Sequence, residues 1–147
     1  MKTLYLVTCF MLFIVGCNEA QKNPQQQKLL ESKDLQGIYK DAYKATLQVL
    51  QDYGYAIKNT DYESGVIHGE TGMKVDWFLM KWSEITVTLE QFGDNTVKAR
   101  LTVLNKERVS SQYGTSEKSK VVEDPALFSK IYDDIQKEMF IRQNINK

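Results

Sequence analysis

The sequence predicts an α+β fold in which two helices cover one face of an antiparallel sheet of four to five strands. Three observations lead there. Two stretches carry apolar residues every three or four positions, four shorter ones read as strands, two of them clearly alternating, and turn-forming residues separate the strands in pairs. Strands that alternate offer one apolar face, so both helices must settle on that face and form a two-layer sandwich. The composition agrees. The chain has 147 residues, 42% hydrophobic and 26% charged, which is room for one globular domain and a short appendage. Lys+Arg and Asp+Glu each number 19, so no net field draws in nucleic acid.

The elements follow in order. Leu29-Leu30-Glu31 offers a short first strand. Asp34 reads as an N-cap, and Leu35, Ile38, Tyr39, Ala42, Thr46, Val49, Leu50 and Tyr53 form one helical stripe. Gly54 is the expected stop just past its end. Tyr55–Lys58 and Gly65–His68 flank the turn-rich residues 59–64 and predict a hairpin. Ile85, Val87 and Leu89 alternate with polar residues, as do Val97, Ala99, Leu101 and Val103, with Gly93-Asp94-Asn95 as the turn between them. Residues 105–120 are polar and fit either an edge strand or a long loop. Asp124-Pro125 announces the last helix, with Phe128, Ile131, Tyr132, Ile135 and Met139 as its stripe. The predicted order is β-α-β-β-β-β-α, within a single domain spanning residues 28–147.

Residues 1–16 differ from the rest. Lys2 precedes an apolar run from Leu4 to Val15, which ends at Gly16. This is the layout of a signal peptide, and the run is shorter than the roughly 20 residues a spanning helix needs. Both cysteines, Cys9 and Cys17, lie within the first 17 residues, so a disulfide within the domain is excluded and its fold must rest on the core. Residues 17–27 carry Cys17 and the polar tract Asn18–Gln27, expected to act as a flexible linker.

Ile14-Val15-Gly16-Cys17 resembles the lipobox of bacterial lipoproteins. The rival Leu6-Val7-Thr8-Cys9 fits poorly, because Thr8 is unsuited to the cut and little apolar run precedes it. The resemblance implies that Cys17 becomes a lipidated N-terminus, with two or more acyl chains giving stable anchoring. It places the domain in the cell envelope. Asn18, not being Asp, favours the outer membrane facing the periplasm if the source has two membranes, and the plasma membrane otherwise. Within the domain, residues 43–55 followed by Asp61-Tyr62-Glu63-Ser64-Gly65-Val66-Ile67, and the closing residues 128–141, resemble a set of uncharacterised bacterial lipoproteins. A looser likeness is to the helix-grip-like domains of the C lipoprotein of the outer-membrane barrel-assembly machinery. The shared residues are caps, core positions and turns, so the resemblance implies fold and brings no catalytic residue with it.

Chemistry-bearing residues are sparse. His68 is the only histidine, and its strand setting makes it a partly exposed sheet residue. Asp61/Glu63, Glu123/Asp124 and Asp133/Asp134 are explained as a turn, a cap and a solvated helix face. Lys98, Arg100, Lys106, Arg108, Lys118 and Lys120 either gather around an anionic headgroup or line a solvated face, and the latter is preferred because the net charge is balanced. No phosphate loop or dinucleotide fingerprint occurs, so neither a cofactor nor a metal is expected.

Residues 73–82 stand out, holding both tryptophans and apolar groups at both parities. They either pack into the domain or present Trp77, Phe78, Met80 and Trp82 as a partner or membrane contact. The two-residue period of Val75, Trp77 and Leu79 predicts that Trp77 is buried and Trp82 exposed. The functional expectation is a non-enzymatic accessory or adaptor lipoprotein that docks a protein partner. The alternative is a binder of a lipid or other amphiphile in a cavity lined by Tyr39, Tyr43, Val87 or Leu101. An envelope hydrolase using His68 ranks third.

Overall fold

Residues 32–145 are described here from a computed structural model. They form strands β1 (Ser32–Gln36), β2 (Tyr55–Asp61), β3 (Val66–Thr71), β4 (Lys74–Asp76), β5 (Leu79–Gln91), β6 (Thr96–Ser111) and β7 (Gly114–Val121). Helices α1 (Tyr39–Asp52) and α2 (Pro125–Ile145) complete the α+β arrangement. All pairings are antiparallel, and β1-β6-β5-β3-β2 is the main path across the sheet. β4 joins β5 on the edge it shares with β3, and β7 joins β6 on the edge it shares with β1. The sheet is larger than the four to five strands expected, because β4 and β7 were not legible as separate strands.

β5 and β6 explain the shape. Pairing runs from Gln91↔Val97 to Leu79↔Val109, far beyond the stretch that alternates cleanly in sequence. Odd-numbered residues of both strands face the helices over the first part of this ladder. Ile85, Val87, Leu101 and Val97 lose all or nearly all solvent contact there, against Ile131, Ile135 and Met139 of α2 and Val49 and Leu50 of α1. Burying each such side chain stabilises by about 1.5–3 kcal/mol relative to exposure. Beyond Ile85 the same two strands continue past the helices, and their odd positions become exposed or half-buried.

The first helix begins later than the sequence suggested. Asp34 does not cap it: Asp34 and Leu35 belong to β1, opposite Lys98 and Val97. Gly37, at φ 141, breaks the chain between strand and helix, and its N–H bonds to the Asn95 carbonyl at 2.9 Å. Ile38 takes the cap position without a side-chain hydrogen bond. The apolar spacing of Leu35 and Ile38 imitates a helix although the two lie on either side of that break. Gly54 does close α1, with its N–H on the Gln51 carbonyl. The cap on α2 is as expected, since an Asp124 Oδ1 accepts from the N–H groups of Ala126 and Leu127. Gln136 clamps β1 to α2, accepting from Gln36 N–H at 2.8 Å and donating to its carbonyl at 3.0 Å. The short strand expected at 29–31 lies outside the described residues; the strand found begins at Ser32.

Candidate contact surface at the hairpin end

Two hairpins project from the end of the sheet that the helices leave bare. In the first, Asp76 pairs with Leu79, so Trp77 and Phe78 alone make the turn between β4 and β5. In the second, Ser111 pairs with Gly114 and leaves Gln112 and Tyr113 as the turn between β6 and β7. The Ser110 N–H donates to the Phe78 carbonyl at 3.0 Å and ties the two together. Trp77 is 89% exposed, Tyr113 91% and Phe78 67%, with Met73, Val75 and Val109 also exposed beside them. Trp77 holds φ at 49°, the one non-glycine residue in the left-handed region among those described. For a bulky side chain that conformation is disfavoured by about 1–2 kcal/mol.

The expected roles of the two tryptophans are therefore reversed. Trp77 is not buried. Its two-residue period with Val75 and Leu79 assumed an unbroken strand, and the turn at 77–78 interrupts it. Trp82 is the half-buried one, on the face of the sheet away from the helices. Its indole N–H donates to Glu84 at 3.1 Å, and Arg108 and Lys106 lie 5.4 and 6.0 Å from its ring centre. Met80 is also half-buried, opposite Val75 and Arg108. Of the four expected contact residues, the structure brings Trp77 and Phe78 to the exposed apex and sets Met80 and Trp82 behind it. Cys17 lies outside the described residues.

Comparison with protein-family models and with curated proteins finds no match to this chain.

The remaining candidates are occupied in local structure. His68 is a half-buried sheet residue, with Nδ1 3.2 Å from Thr86 Oγ1 and Nε2 3.8 Å from Glu70. Lys106 bonds Glu84 at 2.7 Å and Arg108 bonds Glu117 at 2.8 Å. Burial pushes the Glu84 carboxyl up, but hydrogen bonds from Lys106 and Trp82 outweigh it and hold the group below its usual range. Asp61 accepts from Glu63 and Ser64 N–H, which makes it the turn residue expected. Asp133 and Asp134 are more than a solvated face: Lys33 donates to Asp133 at 2.6 Å and the Tyr53 hydroxyl to Asp134 at 2.7 Å. Among the described residues no group of His, Cys, Asp and Glu is placed to hold a metal, and no helix is long and apolar enough to cross a membrane.

The six basic residues do not share one region. Lys98, Arg100, Lys106 and Arg108 are even positions of β6 and face away from the helices. Lys118 and Lys120 pair with Glu107 and Asn105 and point to the other side. The residues expected to line an amphiphile cavity belong instead to the packed core, Tyr43 with Val87 and Leu101 and Tyr39 at its margin. Val87 and Leu101 are fully buried in the core, while Tyr39 and Tyr43 pack edge-on with Tyr62 at 5.2 and 4.9 Å. An open cleft of about 490 Å³ runs past Tyr39, Tyr62, Glu63 and Leu89. Sequence reasoning missed Tyr113 and Val109. The pattern Ser111-Gln112-Tyr113-Gly114 carries a turn signal in Gly114, but its polar flanks hid the hairpin.

Proposed function

We propose that this chain is a lipid-anchored accessory protein of the bacterial cell envelope, an adaptor that works by contact and not by catalysis. Cys17 holds it in the outer membrane of a diderm source, or in the plasma membrane of a source with one membrane. The folded domain presents the hairpin end as its working surface. The observation that carries the reading is the solvent-exposed Trp77–Phe78 turn, in which a bulky aromatic holds the left-handed position that a two-residue hairpin ordinarily gives to Gly or Asn. Strain retained at an exposed aromatic apex points to a use outside the fold. The lipobox at residues 14–17 supports the anchor, and the engagement of His68, Glu84, Asp133 and Asp134 in local bonds supports contact over chemistry.

Complementation of a chromosomal deletion, scored by envelope permeability, tests this. Trp77→Ser with Phe78→Ser should fail to complement while expression and membrane retention stay normal. His68→Gln with Glu70→Gln should complement fully. The opposite pattern would assign a chemical step to the sheet face and end the adaptor reading.

A further inference from the structure

We propose that the hairpin end is a second membrane contact, seated in the headgroup layer of the same bilayer that holds Cys17. The inference rests on the lipid-anchor reading above and names what the exposed apex touches.

Shape argues first. Trp77, Phe78 and Tyr113 sit on two adjacent turns that project past the helix layer, and apolar residues continue on both faces behind them. Val75 and Met80 share one face with the Arg108–Glu117 ion pair, and Leu79 and Val109 share the other with Asp76 and Ser116. A protein partner would need a deep pocket apolar on both walls to cover such a protrusion. A bilayer surrounds it from every side with no matching shape, and interfacial depth suits Trp and Tyr in particular.

Charge agrees with shape. The pairing register places Lys74, Lys81, Glu107 and Lys118 on a single rung across β4, β5, β6 and β7. Glu107 engages Lys81 at 3.0 Å. Lys74 and Lys118 have no ion-pair partner among the described residues, so the rung keeps two positive charges against the single carboxylate of Asp76 two residues nearer the apex. The rung lies two residues behind Leu79 and Val109, about 7 Å along the strands. Apolar groups of an interfacial anchor reach about 5–10 Å below the headgroup boundary. With the aromatic apex at that depth, the lysines stand level with the phosphates.

The tether has the reach. β1 runs antiparallel to β6, and its first residue, Ser32, pairs with Arg100, so the chain enters the sheet from the direction of the hairpin end. From Arg100 to Val109 is about 30 Å along the strand. The chain between Cys17 and Ser32 spans at most about 50 Å when extended. Anchor and apex can therefore occupy one leaflet together.

The test uses the mature chain purified with its lipid and reconstituted in phosphatidylethanolamine–phosphatidylglycerol vesicles containing bromine-labelled acyl chains. In Trp82→Phe, Trp77 is the sole tryptophan; its emission should shift to the blue and lose most of its intensity to shallow bromines. In Trp77→Phe, Trp82 should escape quenching. Lys74→Gln with Lys118→Gln should reduce the quenching of Trp77 in anionic vesicles. Intact mass on the same samples reports the anchor separately. A diacylglyceryl-modified Cys17 with Trp77 unquenched and solvent-like overturns the apex inference alone, whereas an unmodified Cys17 overturns the anchor reading. A photocrosslinker in place of Phe78, activated in living cells, separates lipid from protein. Phospholipid adducts support the inference, and a reproducible discrete protein adduct overturns it.

Discussion

Replacing Trp77 with glycine should stabilise the domain while removing its largest exposed aromatic. At φ 49 every residue with a Cβ meets the left-handed penalty of about 1–2 kcal/mol, and glycine escapes it. Glycine gives back about 0.5–1 kcal/mol through the greater freedom of the unfolded chain. The indole is 89% exposed, so almost no burial is lost with it. The midpoints of these ranges leave a net gain of about 0.75 kcal/mol, or about 3 °C in melting temperature for a domain of this size. Trp77→Ala keeps the Cβ and the strain, and should stay within about 0.5 kcal/mol of the parent. Thermal melts of the mature chain followed by circular dichroism compare all three. A loss of about 3–5 kcal/mol in either variant, the scale of a buried Trp, would refute the exposed-turn geometry.

Three further outcomes follow from the packing. Gly65 sits at φ +71 with Leu89 O and Tyr39 Oη directly in the path of a Cβ, so Gly65→Ala should lower stability by at least about 2 kcal/mol in urea titration; an unchanged midpoint would mean the turn is built differently. Ile135→Ala, at a fully buried position of α2, should lower it by about 2–5 kcal/mol by the same assay, and a smaller loss would place α2 off the sheet. Burial, then the hydrogen bond to Asp134 and its charge, pushes the Tyr53 hydroxyl up to about 12 from an ordinary 10. The neutral phenol therefore contributes stability that is fully present below pH 10 and is lost as pH rises through 12. Tyr53→Phe should show a shallower stability loss across that window, and an identical slope would remove the Tyr53–Asp134 bond from the account.

The helices and the central hairpin were legible because burial imposes a period on sequence. Phe128, Ile131, Tyr132, Ile135 and Met139 lie in the core as their spacing required. The β5–β6 turn around Gly93 was visible for the same reason a left-handed turn favours glycine. Where the sheet outruns the helices, no core face exists to enforce alternation, and the signal disappears. β7 is exposed along its whole length and looks polar throughout, so it resembled a loop. The Trp77–Phe78 turn was hidden because two-residue hairpins are recognised by Asn, Asp or Gly, and this one uses none. The contact residues were picked out by composition, yet which tryptophan is exposed depended on that unseen turn. β1 was read as helix since Leu35 is buried under either reading, and Gly37 was the residue that distinguished them.

The proposed anchor would hold this domain at a membrane through Cys17. Intact mass spectrometry of the chain isolated from membranes of its source, beside Cys17→Ala, tests it most directly. The mature chain should begin at Cys17 and carry a thioether-linked diacylglycerol, with the alanine variant left as uncleaved precursor. A free Cys17 thiol, cleavage at another residue, or acyl mass persisting in Cys17→Ala would contradict it.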